Sequence, residues 1–475
     1  MEKGTVPSLL ATVSRYAALI GSVVVAAVAT EAALTSGAMP REAAFMSGIF
    51  VLAALLWMTE ALPLFATALL VVGLQLVLLA NPGDWPGLGF AAGPSPDFRD
   101  ILAAAADPVL VLFFGGFLLA QAAVKQGVDR SMSALLLRPF GERPVMVLTG
   151  VMTVTALFSM FMSNTATTAM MLALVAPMLA QLPPGDRFRA GLVLAVAFAA
   201  NIGGMGTPIG SPPNAVAGGY LQQAGLQVRF LDWMLVAVPL MVACLALAGW
   251  LLWRLHRPQA AALRIRIEGG TVGARGWLVV VVFSITILLW LTDHWHGLPA
   301  AVVALLPAVV FTATRTLTAA DLNEIDWSVL ILIGGGISLG AGMGMTGLDR
   351  VIIGWLPLGA DASTLWLVAV LALATVLLST FMSNTAASNL LLPIGISAIV
   401  GLSANGELRE VAMAIALAAS LAMSLPISTP PNAMAYSTRE FSLRDMARTG
   451  ALVGALGVVI VILAVPVLVR LWALG

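Results

Sequence analysis

Two short polar stretches interrupt otherwise apolar sequence: Ser163-Asn164-Thr165 and Ser383-Asn384-Thr385. Two more pair prolines with an asparagine, Pro212-Pro213-Asn214 and Pro430-Pro431-Asn432. Ser163 has no histidine or lysine within its own segment to act as a base, so nucleophilic catalysis fits poorly. What these residues offer instead is hydroxyls, side-chain amides and freed backbone. Pro-Pro removes amide donors and ends a helix, so each pair should split its span into two half-helices. Inside a bilayer, irregular backbone survives only where it is buried or lines a cavity. Helix N-termini meeting there would present amide donors and positive dipole ends to an anion. Carbonyls and hydroxyls freed at the breaks would suit a hard cation such as sodium.

A plainer reading is that each Ser-Asn-Thr is a polar turn between two full spans, since Ser and Asn are common turn residues. Ser159 and Ser379 lie one helical turn before the motifs on the same face, where small residues suit ligation and close packing alike. Duplication argues against the plain turn. Phe161-Met-Ser163-Asn164-Thr165-Ala166 returns in the second half of the chain as Phe381-Met-Ser383-Asn384-Thr385-Ala386. Gly127-Val-Asp129-Arg130, which follows an apolar run containing Gly115-Gly116, returns at the same spacing as Gly347-Leu-Asp349-Arg350, after Gly334-Gly335-Gly336. At a spacing almost the same, Pro208-Ile-Gly210-Ser211-Pro212-Pro213-Asn214-Ala215 returns as Pro426-Ile-Ser428-Thr429-Pro430-Pro431-Asn432-Ala433. Five spans separate equivalent points, an odd number, so the halves are expected to be inverted relative to each other.

The elements that must hold these motifs are read from composition. Of 475 residues, 60% are hydrophobic and 10% charged, and the mean hydropathy is +1.00, which excludes a soluble globular fold. Twenty-three basic and 23 acidic residues cancel, so there is no basic field for nucleic acid and none is expected as a partner. The single cysteine, Cys244, excludes an intrachain disulfide framework, an iron–sulfur cluster and a Cys-based zinc site. Taking about 20 residues per span, apolar segments fall at 16–36, 43–60, 62–80, 107–124, 190–226, 232–253, 276–292, 298–314, 326–346, 407–436 and 449–472. Two longer stretches with polar centres, 145–182 and 363–401, read as helical hairpins. The expected architecture is an all-α polytopic membrane protein of about 11 transmembrane helices plus two re-entrant hairpins. Its parts are an N-terminal scaffold helix (1–42), a first repeat (43–253, with hairpin 145–182 and broken helix 190–226), a cytoplasmic linker (254–275) and a second, inverted repeat (276–475, with hairpin 363–401 and broken helix 407–436). With the N-terminus inside, 17 of the 23 lysines and arginines fall on the cytoplasmic side, as the positive-inside rule requires. That orientation puts the C-terminus outside.

The duplicated Ser-Asn-Thr, the Gly-Thr-Pro-Ile-Gly-Ser-Pro-Pro-Asn and Ser-Thr-Pro-Pro-Asn loops, and the early Trp57-Met-Thr-Glu60-Ala-Leu-Pro-Leu resemble the divalent anion/sodium symporter family. The likeness runs from about residue 43 to the end, and its C-terminal signature is met by Ser420, Pro426, Ser428 and Asn432. Met423 and Ala435 depart from it, apolar for apolar. The resemblance implies sodium-coupled movement of a divalent anion across a plasma (inner) membrane, with sodium as coupling ion and no other cofactor. The anion it implies is a C4-dicarboxylate such as succinate or malate. It further implies that Ser163, Asn164, Thr165, Thr207, Ser383, Asn384, Thr385, Thr429 and Pro430 meet the substrate. Ser159, Ser163, Asn164 and the Gly206 carbonyl would form one sodium site; Ser379, Ser383, Asn384 and the Ser428 carbonyl would form the other. A homodimer and an elevator motion come with the same resemblance. Asn201 has no polar counterpart in the second half, where Ala419 stands.

An intramembrane hydrolase is disfavoured, because His256, His294 and His296 are all assigned to loops and no His-Glu-x-x-His helix occurs. Glu60 and Asp107 sit at span ends, where capping competes with an ion-relay role. An anion channel, a sodium-independent dicarboxylate exchanger and a sulfate carrier of the same family stay open on sequence alone.

Overall fold

The computed structural model describes residues 9–259, 263, 272–355, 363–401 and 407–473, and every regular element among them is helical. Half of the linker between the halves, 260–262 and 264–271, lies outside the described residues, as do Lys3, Arg264 and Arg266 of the charge count. Among the described residues nine helices are long and apolar enough to cross a membrane. The sequence suggested eleven spans; eight of those segments hold one of the nine helices, the ninth helix is the first arm of the second hairpin, Thr364–Phe381, and 62–80, 298–314 and 407–436 hold shorter helices. Segment 62–80 is a helix Leu64–Gln75 that loosens into a π-turn, Leu76–Ala80. Segment 298–314 divides at Ala304 into Ala300–Val303 and Leu305–Ala313, because Pro307 has no N–H to offer the Val303 carbonyl. The two Pro-Pro segments split as expected: Arg187–Gly203 then Pro212–Gln223, and Leu408–Ala419 then Pro430–Ser437.

Each polar-centred stretch is a pair of helices meeting at its Ser-Asn-Thr. The first pair is Pro144–Ser159 with Asn164–Leu179, and the second is Thr364–Phe381 with Asn384–Gly401. Arms of 16 residues in the first pair extend about 24 Å, short of a hydrocarbon core of about 30 Å. Serine begins the second arm in both pairs by accepting a backbone hydrogen bond: Ser163 from Ala166 N and Ser383 from Ala386 N, each at 3.2 Å. This is the N-cap chemistry that satisfies an orphan donor at a helix start.

The two halves repeat each other in packing as well as in sequence. Trp57 Nε1 donates to the Leu64 carbonyl at 3.1 Å, and Trp290 Nε1 donates to the Ala300 carbonyl at 3.0 Å. The helices Pro108–Lys125 and Trp327–Thr346 are both followed by a glycine in the left-handed region, Gly127 at φ +66° and Gly347 at φ +71°, the usual helix stop. Gly115 lies against the Ala304 backbone, and Gly335, its counterpart in the second half, lies against the Ala68 backbone. Such small residues let helices approach closely where lipid provides no hydrophobic drive for association. At the centre stand the first halves of the broken helices, with every residue of 190–203 and 410–419 buried. The N-terminal helix Leu9–Ser36 is at the periphery, with Tyr16, Ile20, Val24 and Val28 among its exposed apolar residues.

A Cβ at position 335 would sit 2.8 Å from Ala68 Cα and 3.0 Å from its carbonyl oxygen, and backbone cannot move aside as a flexible side chain can. Gly335→Val should cost about 1–3 kcal/mol by overpacking and lower the melting temperature of the detergent-solubilised protein. Gly344→Val, on the same helix with nothing within 4 Å, should leave it unchanged. Equal melting of the two variants would contradict the crossing.

Candidate functional site

Both Ser-Asn-Thr motifs and both Pro-Pro breaks open onto one cavity of about 520 Å³. Ser163–Ala166 and Ser383–Thr385 line it from the hairpins, Gly210–Pro213 and Ser428–Pro431 from the broken helices. Those four segments are the N-terminal ends of Asn164–Leu179, Asn384–Gly401, Pro212–Gln223 and Pro430–Ser437. Four helix N-termini therefore converge, each equivalent to roughly half a positive charge. Together they come to about +2, opposed to whatever anion enters.

Of the nine residues expected to meet substrate, eight line the cavity: Ser163, Asn164, Thr165, Ser383, Asn384, Thr385, Thr429 and Pro430. Thr207 lies behind the wall, fully buried, with its hydroxyl donating to the Met160 carbonyl. In the second half the equivalent carbonyl, Thr380 O, accepts from Ser428 Oγ at 2.8 Å. The asparagines that follow the proline pairs seal the breaks from behind. Asn214 Nδ2 donates to the Gly204 and Thr207 carbonyls, both at 2.8 Å, and Asn432 Nδ2 donates to the Leu425 carbonyl at 3.0 Å. Without such donors those carbonyls would be desolvated and unpaired, at a cost of about 1–3 kcal/mol each.

The residues expected to hold cations differ between the halves. Ser159 Oγ donates to the Ala200 carbonyl at 2.7 Å. The hydrogen-bond network turns the Asn164 amide nitrogen toward Ser159 Oγ (2.6 Å), Ala200 O and Gly210 O (both 3.2 Å). Gly206 packs against Met160 and Met241, and the carbonyls that the Asn164 amide meets are those of Ala200 and Gly210. In the second half Ser379 Oγ, Asn384 Oδ1 and Ser420 Oγ are buried with no hydrogen-bond partner. Three such oxygens, two by the turn of the second hairpin and one at the end of Leu408–Ala419, suit a hard cation, which unwound backbone and hydroxyls commonly coordinate at helix breaks in membranes.

Several lining residues were not foreseen. Asn201, which has no polar counterpart, reaches across the pseudo-twofold: its Nδ2 donates to Thr429 Oγ1 at 3.1 Å and to Asn432 Oδ1 at 3.0 Å. Phe113, Phe117 and Gln121 come from one face of Pro108–Lys125, and their spacing of four was a readable helical stripe. Glu324 and Asp326 also line the cavity, and Gln121 Nε2 donates to Glu324 Oε2 at 2.7 Å. No lysine, arginine or histidine is among the described lining residues. Beside this rim, Lys125 Nζ stands 2.5 Å from Asp321 Oδ2. The Lys125 ammonium and the Thr318 hydroxyl and amide hold that carboxyl down at about 2. The carboxyl's contribution is therefore full above the ordinary carboxylate range and is lost as pH falls toward 2.

The other residues singled out lie elsewhere. Glu60 is an exposed C-cap of Arg41–Thr59, and Asp107 caps Pro108–Lys125 by accepting from Val109 N at 2.9 Å. His294 Nδ1 is 2.7 Å from Arg229 Nη1, His296 contacts the Leu289 carbonyl, and His256 faces Thr449. Cys244 is free and fully buried.

Comparison with known proteins adds to this geometry. A family profile described as citrate transporter matches residues 54–405 and 287–474. An uncharacterised transporter of Haemophilus influenzae is 31% identical over 449 residues, covering 89% of this chain and 92% of that protein. The sodium-dependent dicarboxylate transporter SdcS of Staphylococcus saprophyticus is 30% identical over 465 residues, covering 89% of this chain and 86% of that protein. Among solved structures, the YdaH transporter of Alcanivorax borkumensis, described as having an unusual topology, shares the fold with a TM-score of 0.52 at 15% identity, covering 86% of this chain and 97% of that one.

Because Thr165 and Glu324 line one cavity, cysteines placed there singly should react with a membrane-impermeant thiol reagent added from the same side of the membrane. Cys244 is shielded and should give no background. Labelling of the two positions from opposite sides would show that the cavity is not shared.

Proposed function

The chain belongs to the divalent anion/sodium symporter family, and from that premise we propose that it couples sodium entry to uptake of a C4-dicarboxylate such as succinate or malate. The observation that carries this reading is the charge inventory of the cavity. Four helix N-termini supply partial positive charge, and no basic side chain is among the described lining residues, which include Glu324 and Asp326. A dianion held at membrane depth without counter-charge is costly. Oriented dipoles of about +2 in sum are matched against two substrate charges and then offset by two rim carboxylates. Bound cations restore the balance, and the unpartnered oxygens of Ser379, Asn384 and Ser420 are where one would sit. Ser163, Asn164, Ser383 and Asn384 then serve both species, so that each ion improves the site for the other. The activity named in the S. saprophyticus relative points the same way.

The protein works in the plasma (inner) membrane with its N-terminus cytoplasmic and its C-terminus outside, which puts Lys125 and the rim of the cavity on the cytoplasmic side. It acts as a homodimer whose hairpins and broken helices slide as a block past Pro108–Lys125 and Trp327–Thr346. A sodium-independent exchanger would be expected to carry a fixed basic side chain where the cation sits, and the described cavity wall has none. Sulfate fits the same dipoles but would leave the apolar faces of Phe113 and Phe117 without a hydrocarbon chain to cover.

In proteoliposomes, labelled succinate uptake should fall to background when choline replaces sodium. Asn164→Asp and Asn384→Asp, which alter both a cation ligand and the field at the substrate, should each abolish it. Undiminished uptake in choline would sink sodium coupling and favour the exchanger.

A further inference from the structure

Far from the cavity, one guanidinium gathers three separate pieces of chain. Arg189 lies in the first turn of Arg187–Gly203. Its Nε and Nη2 donate to Glu440 Oε2 and Oε1, both at 2.7 Å, and its Nη1 donates to the Leu179 carbonyl at 2.6 Å and the Leu182 carbonyl at 3.1 Å. Leu179 closes the second arm of the first hairpin, and Glu440 follows the second broken helix, Pro430–Ser437. The two side chains are each 21% exposed, too enclosed to resemble the solvated surface pairs that contribute little. Arginine is suited to this place because its planar fork meets a carboxylate with two parallel bonds and still has donors for carbonyls left over at a helix end.

Those three pieces of chain are also three walls of the cavity. At the other end of Arg187–Gly203, about 18 Å along the axis, Asn201 bonds to Thr429 and Asn432. The first and second broken helices are therefore joined at both ends, by an amide beside the cavity and by an ion pair at the far end, and the same ion pair holds the end of the first hairpin.

We propose that the Arg189–Glu440 pair is a positioning clasp that makes the first hairpin and the two broken helices move as one body, so that cation ligation and substrate binding change together. Arg189 does not touch substrate; it acts through the elements that do. The idea rests on the sodium-coupled reading, and its test has one readout that does not. The variants are Arg189→Lys, which keeps the charge but loses the fork, Glu440→Gln, and the exchange Arg189→Glu with Glu440→Arg. In the full-length detergent-solubilised protein, amide hydrogen exchange at 176–182 and 434–441 should rise together under mild denaturation in the wild type. In Arg189→Lys and Glu440→Gln the two segments should exchange at rates that differ by about fivefold or more, and the double exchange should bring them back together. In proteoliposomes the single variants should take up succinate in choline at about fivefold or more above the level of protein-free liposomes, where the wild type stays at that level, as coupling between the ligands is lost. Segments that keep a common exchange rate in the single variants would overturn the clasp. So would uptake that falls in sodium while staying at the protein-free level in choline, the mark of a structural role alone. If the wild type itself takes up succinate in choline, the sodium reading fails, and hydrogen exchange still decides the clasp.

Discussion

Backbone at membrane depth must find its hydrogen bonds within the protein, and the chain is built around four places where that requirement is met by side chains. The carbonyls left over at the first break are taken by Asn214, and that of Leu425 at the second by Asn432. The carbonyl that ends the first arm of each hairpin is taken by a hydroxyl, from Thr207 in one half and Ser428 in the other. Polar residues that look like ligand groups in the sequence thus divide into two sets. Thr207, Asn214 and Asn432 serve the backbone. Ser163, Asn164, Thr165, Ser383, Asn384, Thr385 and Thr429 are on the cavity wall.

Once the breaks are sealed, their exposed helix starts become the electrostatics of the cavity. Dipoles fixed in the fold cost no reorganisation when a charge arrives, and they act in surroundings with little water to screen them. Dipoles alone are a weak counter to a dianion beside Glu324 and Asp326, so the fold provides positive field without a fixed positive ion. In the function proposed above, mobile cations become part of the binding site, and substrate affinity becomes conditional on them. That conditionality is the physical content of coupling.

The inverted repeat is closer in backbone than in bonding. Ser159 and Asn164 are occupied with each other and with the Ala200 and Gly210 carbonyls, whereas Ser379 and Asn384 have oxygens to spare. The difference traces to unlike neighbours at like positions: Asn201 opposite Ala419, and Gly210 opposite Ser428. Asn201 uses that inequality to bridge the two broken helices directly. The two copies of the motif therefore present different free groups.

The sequence by itself determined a good deal, because its informative features are local. Sustained hydropathy marks spans, a proline pair ends a helix whatever surrounds it, and Ser before Asn-Thr caps the next helix. The paired motifs, the two breaks and eight residues of the cavity wall were legible for those reasons, and so was the family. Other features depended on which helices meet. Nothing near Asn201 in the chain says that its amide will cross to Thr429 and Asn432. Nothing near Asn164 says that its amide will meet the Ala200 and Gly210 carbonyls. Gln121 and Glu324 form one rim, and Arg189 finds Glu440, only because inverted halves bring residues far apart in the chain into contact. Such pairings are set by packing geometry across the pseudo-twofold, which leaves no periodicity in the sequence, and only the tertiary structure decides them.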